Sequence, residues 1–305
     1  MLRQRKTMGA ICVAALAVAL TSLMFVGSAA AKLTGEYTKF QYCPYKLPTE
    51  AKRCLNSLTT GGEVVLGNKK VPIVNAVTLQ GGYTAPAEEG QPEEGFSKFV
   101  GATNGVTLSK TPQPVPGGLA GLVNCKEISN FLFRISCEVT FENGLTGVNS
   151  TLELAKPASA IRVSEEHLGE GIGVALKMPV KAHLENPFLG ESCVIGSSTS
   201  PLQWELRADT TSPPPPNTPI TGVPGEPQFF DGGRILKLNG NELVDNAWSA
   251  PGATGCGGLF SFILDPIIDA SVGVPAAAGH NTARLKNTIY EASGLAIRLN
   301  EEENP

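Results

Sequence analysis

The chain has 305 residues, 42% hydrophobic but only 6% aromatic, with 34 glycines, 23 prolines and a formal net charge of −4. That length suffices for one large domain or two small ones. An acidic balance with no long basic run after residue 6 removes the attraction that nucleic acid or anionic lipid would need, so no nucleic-acid partner is expected.

Residues 1–31 read as a signal peptide. Leu2 to Lys6 carries three positive charges, Met8 to Val26 has no charged side chain, and Ser28-Ala29-Ala30-Ala31 supplies small residues for cleavage. The apolar run is long enough to persist as an anchor, but its alanine-rich exit favours removal. Residues 32–305 then form a single secreted β domain with 21 Lys+Arg against 28 Asp+Glu, a net charge of −7. No later stretch approaches the roughly 20 apolar residues of a membrane span, so the mature chain is expected to lack one.

After the leader, Tyr37, Phe40, Tyr42 and Tyr45 gather around Cys43. Rigid aromatics on a disulfide-fixed loop could stack on sugars or anchor a protein; they could equally cover a small hydrophobic cluster. Trp248, near Cys256, invites the same two readings. Residues 85–95 are acidic and read as an exposed loop. Phe131 to Phe141 alternates apolar and polar residues, with Cys137 on the apolar side, and reads as a strand. Val174 to Leu184 alternates more cleanly still. Shorter alternations occur at Leu152-Leu154, Leu202-Trp204-Leu206 and Leu295-Ile297-Leu299. One dry face per strand indicates antiparallel sheets, and Pro179 inside a strand suggests an edge or a bulge. Thr211 to Gln228, with seven prolines, reads as an extended surface loop at 211–228. Phe260, Ile263, Leu264, Ile267 and Ile268 follow helical spacing; Asp265-Pro266, read as a cap and first helical position, predicts two short turns there. The expected fold is all-β, a large antiparallel β-sandwich-like domain with one or two short helical turns, stapled by disulfides.

The six cysteines of the mature chain are Cys43, Cys54, Cys125, Cys137, Cys193 and Cys256. An even number in an exported chain predicts three disulfides, paired between nearest neighbours as the working choice among 15 connectivities. The absence of any C-x-x-C argues against zinc, and neither a metal nor a cofactor is expected.

Catalytic motifs fail on chemistry. Gly190-Glu191-Ser192-Cys193-Val194 lacks the last glycine of a nucleophile elbow, and Gly169-Glu170-Gly171-Ile172-Gly173 has no βαβ unit around it; both read as turns. Glu165, Glu166, His167 and Glu170 form a titratable cluster, read as a solvated loop ahead of the Val174 strand. His183 lies on the wet face of that strand, and His280 in a turn. Glu205 and Asp231 are possible members of a glycosidase-type acid pair, though nothing in the sequence pairs them. Asn239, Asn241 and Glu242 could serve calcium, but a polar hairpin turn is the simpler reading.

Four stretches carry a resemblance. The first is Tyr42-Cys43-Pro44 with Cys54, Val71-Pro72-Ile73 and Leu79-Gln80-Gly81-Gly82. The second runs from Val123-Asn124-Cys125 through Cys137 to Asn143-Gly144-Leu145-Thr146. The third is Asn186-Pro187-Phe188-Leu189-Gly190 with Cys193-Val194-Ile195-Gly196-Ser197 and Pro219-Ile220-Thr221-Gly222. The fourth is Leu243-Val244-Asp245-Asn246 with the stretch from Pro251 to Gly258. In these the chain resembles a family of exported actinobacterial proteins of uncharacterised function. The resemblance implies export and a cysteine-framed scaffold, and carries over no catalytic residue. The functional expectation is a secreted or envelope-associated binding or structural module contacting an envelope polysaccharide, a lipid or another protein. The alternatives are a carbohydrate hydrolase using a carboxylate pair and a lipid carrier with an internal cavity.

Overall fold

A computed structural model describes residues 32–46, 51–118, 131 and 147–304. The leader, Cys125, Cys137 and the strand expected from Phe131 to Phe141 lie outside the described residues, apart from Phe131 itself.

Among the described residues, strand-forming alternation produces one antiparallel sheet of 14 strands. Eight of them make a circuit. β1 (Arg53–Leu66) pairs with β3 (Val77–Pro86), which pairs with β4 (Ser97–Gly101) and then β7 (Arg162–Val163). β7 leads to β8 (Val174–Glu185), β10 (Leu202–Arg207), β12 (Ile235–Asp245) and β14 (Thr282–Ser293), which returns to β1. Arg207 opposite Val244 completes the ring. Wrapping the sheet in this way makes opposite arcs face each other across a common core, as two stacked layers would, and leaves the ring strands without free edges. Around one end lie β2 (Lys69–Pro72) on β1, β5 (Pro112–Pro114) and β6 (Asn149–Leu154) leading to β8, and β9 (Val194–Ile195) with β13 (Ala253–Thr254). β11 (Glu226–Phe230) pairs with β12.

Pro179 lies within the ring, not at an edge. Its carbonyl accepts the Ala155 N–H at 3.0 Å, so that side of the residue faces the gap between β7, which pairs with Leu176 and Lys177, and β6, which begins at Val180. The missing proline N–H thus falls where no ladder bond is needed.

Two of the nearest-neighbour bridges are present, Cys43–Cys54 and Cys193–Cys256. The longer bridge is buried in the main core, beside Leu189, Ile195 and Trp204. The shorter belongs to a second cluster on the outside of β1 and β14, where Tyr37, Phe40, Tyr45, Ala292 and Ile297 pack around it.

Two helices in the C-terminal part of the chain depart from expectation. Leu295-Ile297-Leu299, expected as a strand, lies in helix α3 (Gly294–Glu303), which follows α1 (Glu165–Glu170) and α2 (Ser261–Val272). Ser293 Oγ caps α3 by accepting the Ala296 N–H at 3.1 Å, while Ala296 and Ile297 bury against the second cluster. Replacing Ser293 with alanine is expected to cost about 1 kcal/mol, read as a small shift in the denaturation midpoint. The two turns expected around Pro266 are one helix, α2, with Pro266 inside it. Asp265 does not cap it. Its carboxylate accepts the N–H groups of Gly255 and Cys256, and Asp269 accepts that of Ala253. Those three bonds tie the helix to the β13 loop and outweigh the backbone bond that proline removes.

The proline-rich loop is ordered at its base. Thr211 and Ile220 exchange hydrogen bonds, and Asn217 Nδ2 donates to the carbonyls of Asn246 and Asn281 at 2.9 Å each. Its last residues, from Glu226, enter β11.

Candidate functional site: an apolar cavity inside the closed sheet

The interior of the ring is not completely filled. A cavity of about 100 Å³ lies between β1, β3, β8, β10, β12 and β14 at the end surrounded by β2, β5 and β6. Of its 26 lining residues only Ser57, Thr59, Lys69, Gln113, Ser150 and Asn287 have polar side chains. The rest include Leu79, Leu108, Met178, Leu184, Trp204, Leu206 and Leu285, set there because alternate residues of every strand face inward. Partly exposed Val64, Val71, Ile73 and Leu152 form the rim with Lys69 and Ser150. Gln113 is occupied structurally: its Oε1 accepts the N–H groups of Val74 and Asn75, and its Nε2 donates to Asn75 and Thr111 carbonyls. The magnitude limits the occupant. Dry cavities near 150 Å³ accept benzene or xenon, whereas drug-sized ligands need roughly 300 Å³ or more. This space suits a single slender chain.

The opposite end of the interior is sealed by a polar cluster. Tyr83 OH donates to Glu291 Oε1 at 3.1 Å and lies 3.4 Å from Glu165 Oε2. Arg53 lies 3.1 Å from Glu165 and 4.0 Å from Glu291. Burial pushes the Glu291 carboxyl up to about 7; the neighbouring Arg53 guanidinium opposes that rise and the Glu165 charge reinforces it. Burial, with the same two carboxylates, raises the Tyr83 phenol well above its ordinary value. α1 closes over this end, so Glu165 sits on a capped helix and not on the loop expected from the sequence. Ser164 Oγ accepts the His167 N–H, Gly171 ends the turn at φ 71°, and His167 Nδ1 lies 2.9 Å from the Val174 carbonyl. Sequence reading marked Glu165 but missed its partners, because Arg53, Tyr83 and Glu291 are distant along the chain and each reads as an ordinary strand residue.

The other expected residues are placed as follows. Tyr37 and Tyr45 are buried, 4% and 5% exposed, and donate to Asp231 at 2.6 Å and Glu301 at 3.1 Å. Burial raises both phenols to about 12, and the accepting carboxylates reinforce it. Tyr42 is half-buried. Trp248 is 4% exposed and packs 6.0 Å from the ring of Trp204. Of the two readings of these aromatics, the covering role fits Tyr37, Tyr45 and Trp248; their rings are not displayed to solvent. Asp231 is engaged by Tyr37 and Arg234. Glu205 instead adjoins Asp245 in an open cleft with Arg207 and Trp248, but both Asp245 oxygens are taken by the N–H groups of Glu205 and Ala247. His183 stands 3.7 Å from Glu153 and 3.8 Å from Glu185, and His280 is exposed in its turn. Asn239, Asn241 and Glu242 do not form the expected hairpin turn: they sit in the irregularity of β12 between Leu238 and Asn241, where Gly240 takes φ 70°. Glu242 pairs with Arg284 at 2.9 Å. Gly190 to Val194 turns into β9, whereas Gly169 and Glu170 end α1 and only Gly171 to Gly173 form the link to β8; Ser192 Oγ donates to the Gly255 carbonyl.

Among the described residues no group of three or more His, Cys, Asp and Glu side chains could hold a metal ion, and no helix is long and apolar enough to cross a membrane. No protein-family model, curated protein or solved structure matches the chain.

Proposed function

We propose that the chain is an exported, non-catalytic binding module that holds one slender apolar chain, of the kind found in lipids, inside its closed sheet. The carrying observation is the cavity itself: apolar side chains from six ring strands surround it, and its rim is partly exposed. Burying a chain there gains roughly 0.8 kcal/mol per methylene. The charged leader followed by small residues supports export, as do the two buried disulfides, and the cysteine-framed stretches support a place among the exported actinobacterial proteins they resemble. Polysaccharide or protein capture by the tyrosines and Trp248 has less support, since three of the four rings are buried.

Ala182, on β8 at the cavity wall, is the position for a blocking change. Solvent extraction of the purified protein and mass spectrometry of the extract are expected to find a chain-bearing molecule. Ala182→Phe, which fills the space with a ring, is expected to yield none. Equal recovery from both proteins contradicts the proposal.

A hydrolytic reading draws on the Glu165–Glu291 pair joined by Tyr83. Turnover on a glycoside panel that Glu165→Gln or Glu291→Gln abolished would replace the binding reading.

A further inference from the structure

Three polar side chains interrupt the apolar lining deep in the ring. Thr59 on β1 is directly paired with Asn287 on β14, and Ser57 lies two residues away on the same face of β1. Each is more than nine-tenths buried, and each lines the cavity. Opposed residues of an antiparallel pair bring their Cβ atoms to about 4.5–5.5 Å, so the three side chains make one patch.

Their hydrogen bonds are incomplete. Among the described residues, none hydrogen-bonds Ser57 Oγ or Thr59 Oγ1. Asn287 Oδ1 accepts Asn241 Nδ2 at 2.9 Å, which fixes the amide and leaves Asn287 Nδ2 over. These three atoms are not sealed into packed protein, as Asn241 Oδ1 is; they open on the cavity. A buried polar group left unmatched costs about 1–3 kcal/mol, so the patch is completed by whatever enters. Two hydroxyls and an amide N–H can bond one oxygen atom from several sides, and the hydroxyls can also accept.

Among the described residues no cationic side chain accompanies the patch; Lys69 belongs to the partly exposed rim. An ionised carboxylate brought to Ser57, Thr59 and Asn287 would be buried without a counter-charge, at a cost that excludes it. Resting on the proposed cavity function, we infer that the ligand is an uncharged amphiphile: a slender chain with one hydroxyl or carbonyl oxygen, bound oxygen-inward on Ser57, Thr59 and Asn287 with its tail toward the rim.

The test compares 1-octanol, octane and octanoate on the intact mature protein. Each is titrated for its ability to relieve quenching of tryptophan emission by 1-bromooctane, Trp204 lining the cavity. The reading is the ratio of octanol to octane affinity. Thr59→Val, an isosteric change, and Asn287→Leu are each expected to lower that ratio about tenfold, or about 1.4 kcal/mol, and octanoate is expected to compete least in the wild type. An unchanged ratio in Thr59→Val, as if ordered water alone occupied the patch, overturns the inference while leaving the cavity function in place. So does octanoate competing as well as octanol. Failure of every chain to relieve quenching overturns the cavity function and the inference with it.

Discussion

A Cys193→Ala, Cys256→Ala double variant is expected to lose about 4 kcal/mol of unfolding free energy, the entropy released to an unfolded chain no longer closed into a long loop. The two cysteines are 63 positions apart. Their bridge joins the turn before β9 to the loop that carries β13 into α2, where the strand pairing is only two residues long. Ile195 of β9 and Val272 of α2 both line the cavity, so loosening this corner acts on the binding site as well as on stability. The Cys43–Cys54 bridge, 11 positions apart, closes a shorter loop and is expected to contribute about 3 kcal/mol. Denaturant titration of the two double variants checks the order. Equal losses, or a loss below about 1 kcal/mol for the longer bridge, contradict it.

The second large effect is a fall in stability as the solution becomes less acidic. Glu291 binds its proton more tightly in the folded protein, near pH 7, than at its ordinary value of 4.5. The stabilisation from that proton is complete below about pH 4.5 and is lost as pH rises through 7. Linkage puts the loss from this one group at about 3 kcal/mol. The groups facing it are Arg53, Tyr83 and Glu165. Asp245, whose carboxyl burial raises, works in the same direction. Glu153 works in the opposite direction but at more acidic pH, because bonds from Lys110 and Lys181 outweigh its desolvation and lower it. Glu291→Gln keeps an acceptor for Tyr83 while removing the titration. It is expected to flatten the profile between pH 5 and 8 and to exceed the wild type in stability at pH 8. A wild-type profile that rises over that window contradicts the assignment.

Much of the scaffold was legible because strand burial leaves a period of two. Val174 to Leu184 and Leu202 to Leu206 stand in β8 and β10 as their alternation requires. Leu295-Ile297-Leu299 carried the same alternation and became a helix, since the Ser293 cap and burial of the adjacent pair Ala296 and Ile297 favour helical spacing over a third neighbour for β14. Ring closure was not legible at all. It depends on which strands meet, above all β8 with β10 and β14 with β1, and alternation within a strand says nothing about its neighbours.

The binding patch was hidden for a more specific reason. In Ser57-Leu58-Thr59 the alternation places leucine on the dry side, yet Ser57 and Thr59 face the interior and Leu58 is only half-buried. On β14 the alternation itself holds, and Asn287 takes the inward position between Leu285 and Ile289, where it lines the cavity. Polar residues on the inside of a ring are misread by any rule that sends them outward, and local violations of such rules mark places where function is built.

Titrating the mature protein with 1-bromooctane while recording tryptophan emission tests the cavity most directly, because a bromine held beside Trp204 quenches it. Saturable quenching at one molecule per chain, abolished by Ala182→Phe, is the predicted result. Quenching that grows linearly without saturation, or that survives Ala182→Phe unchanged, would contradict a ligand-holding interior.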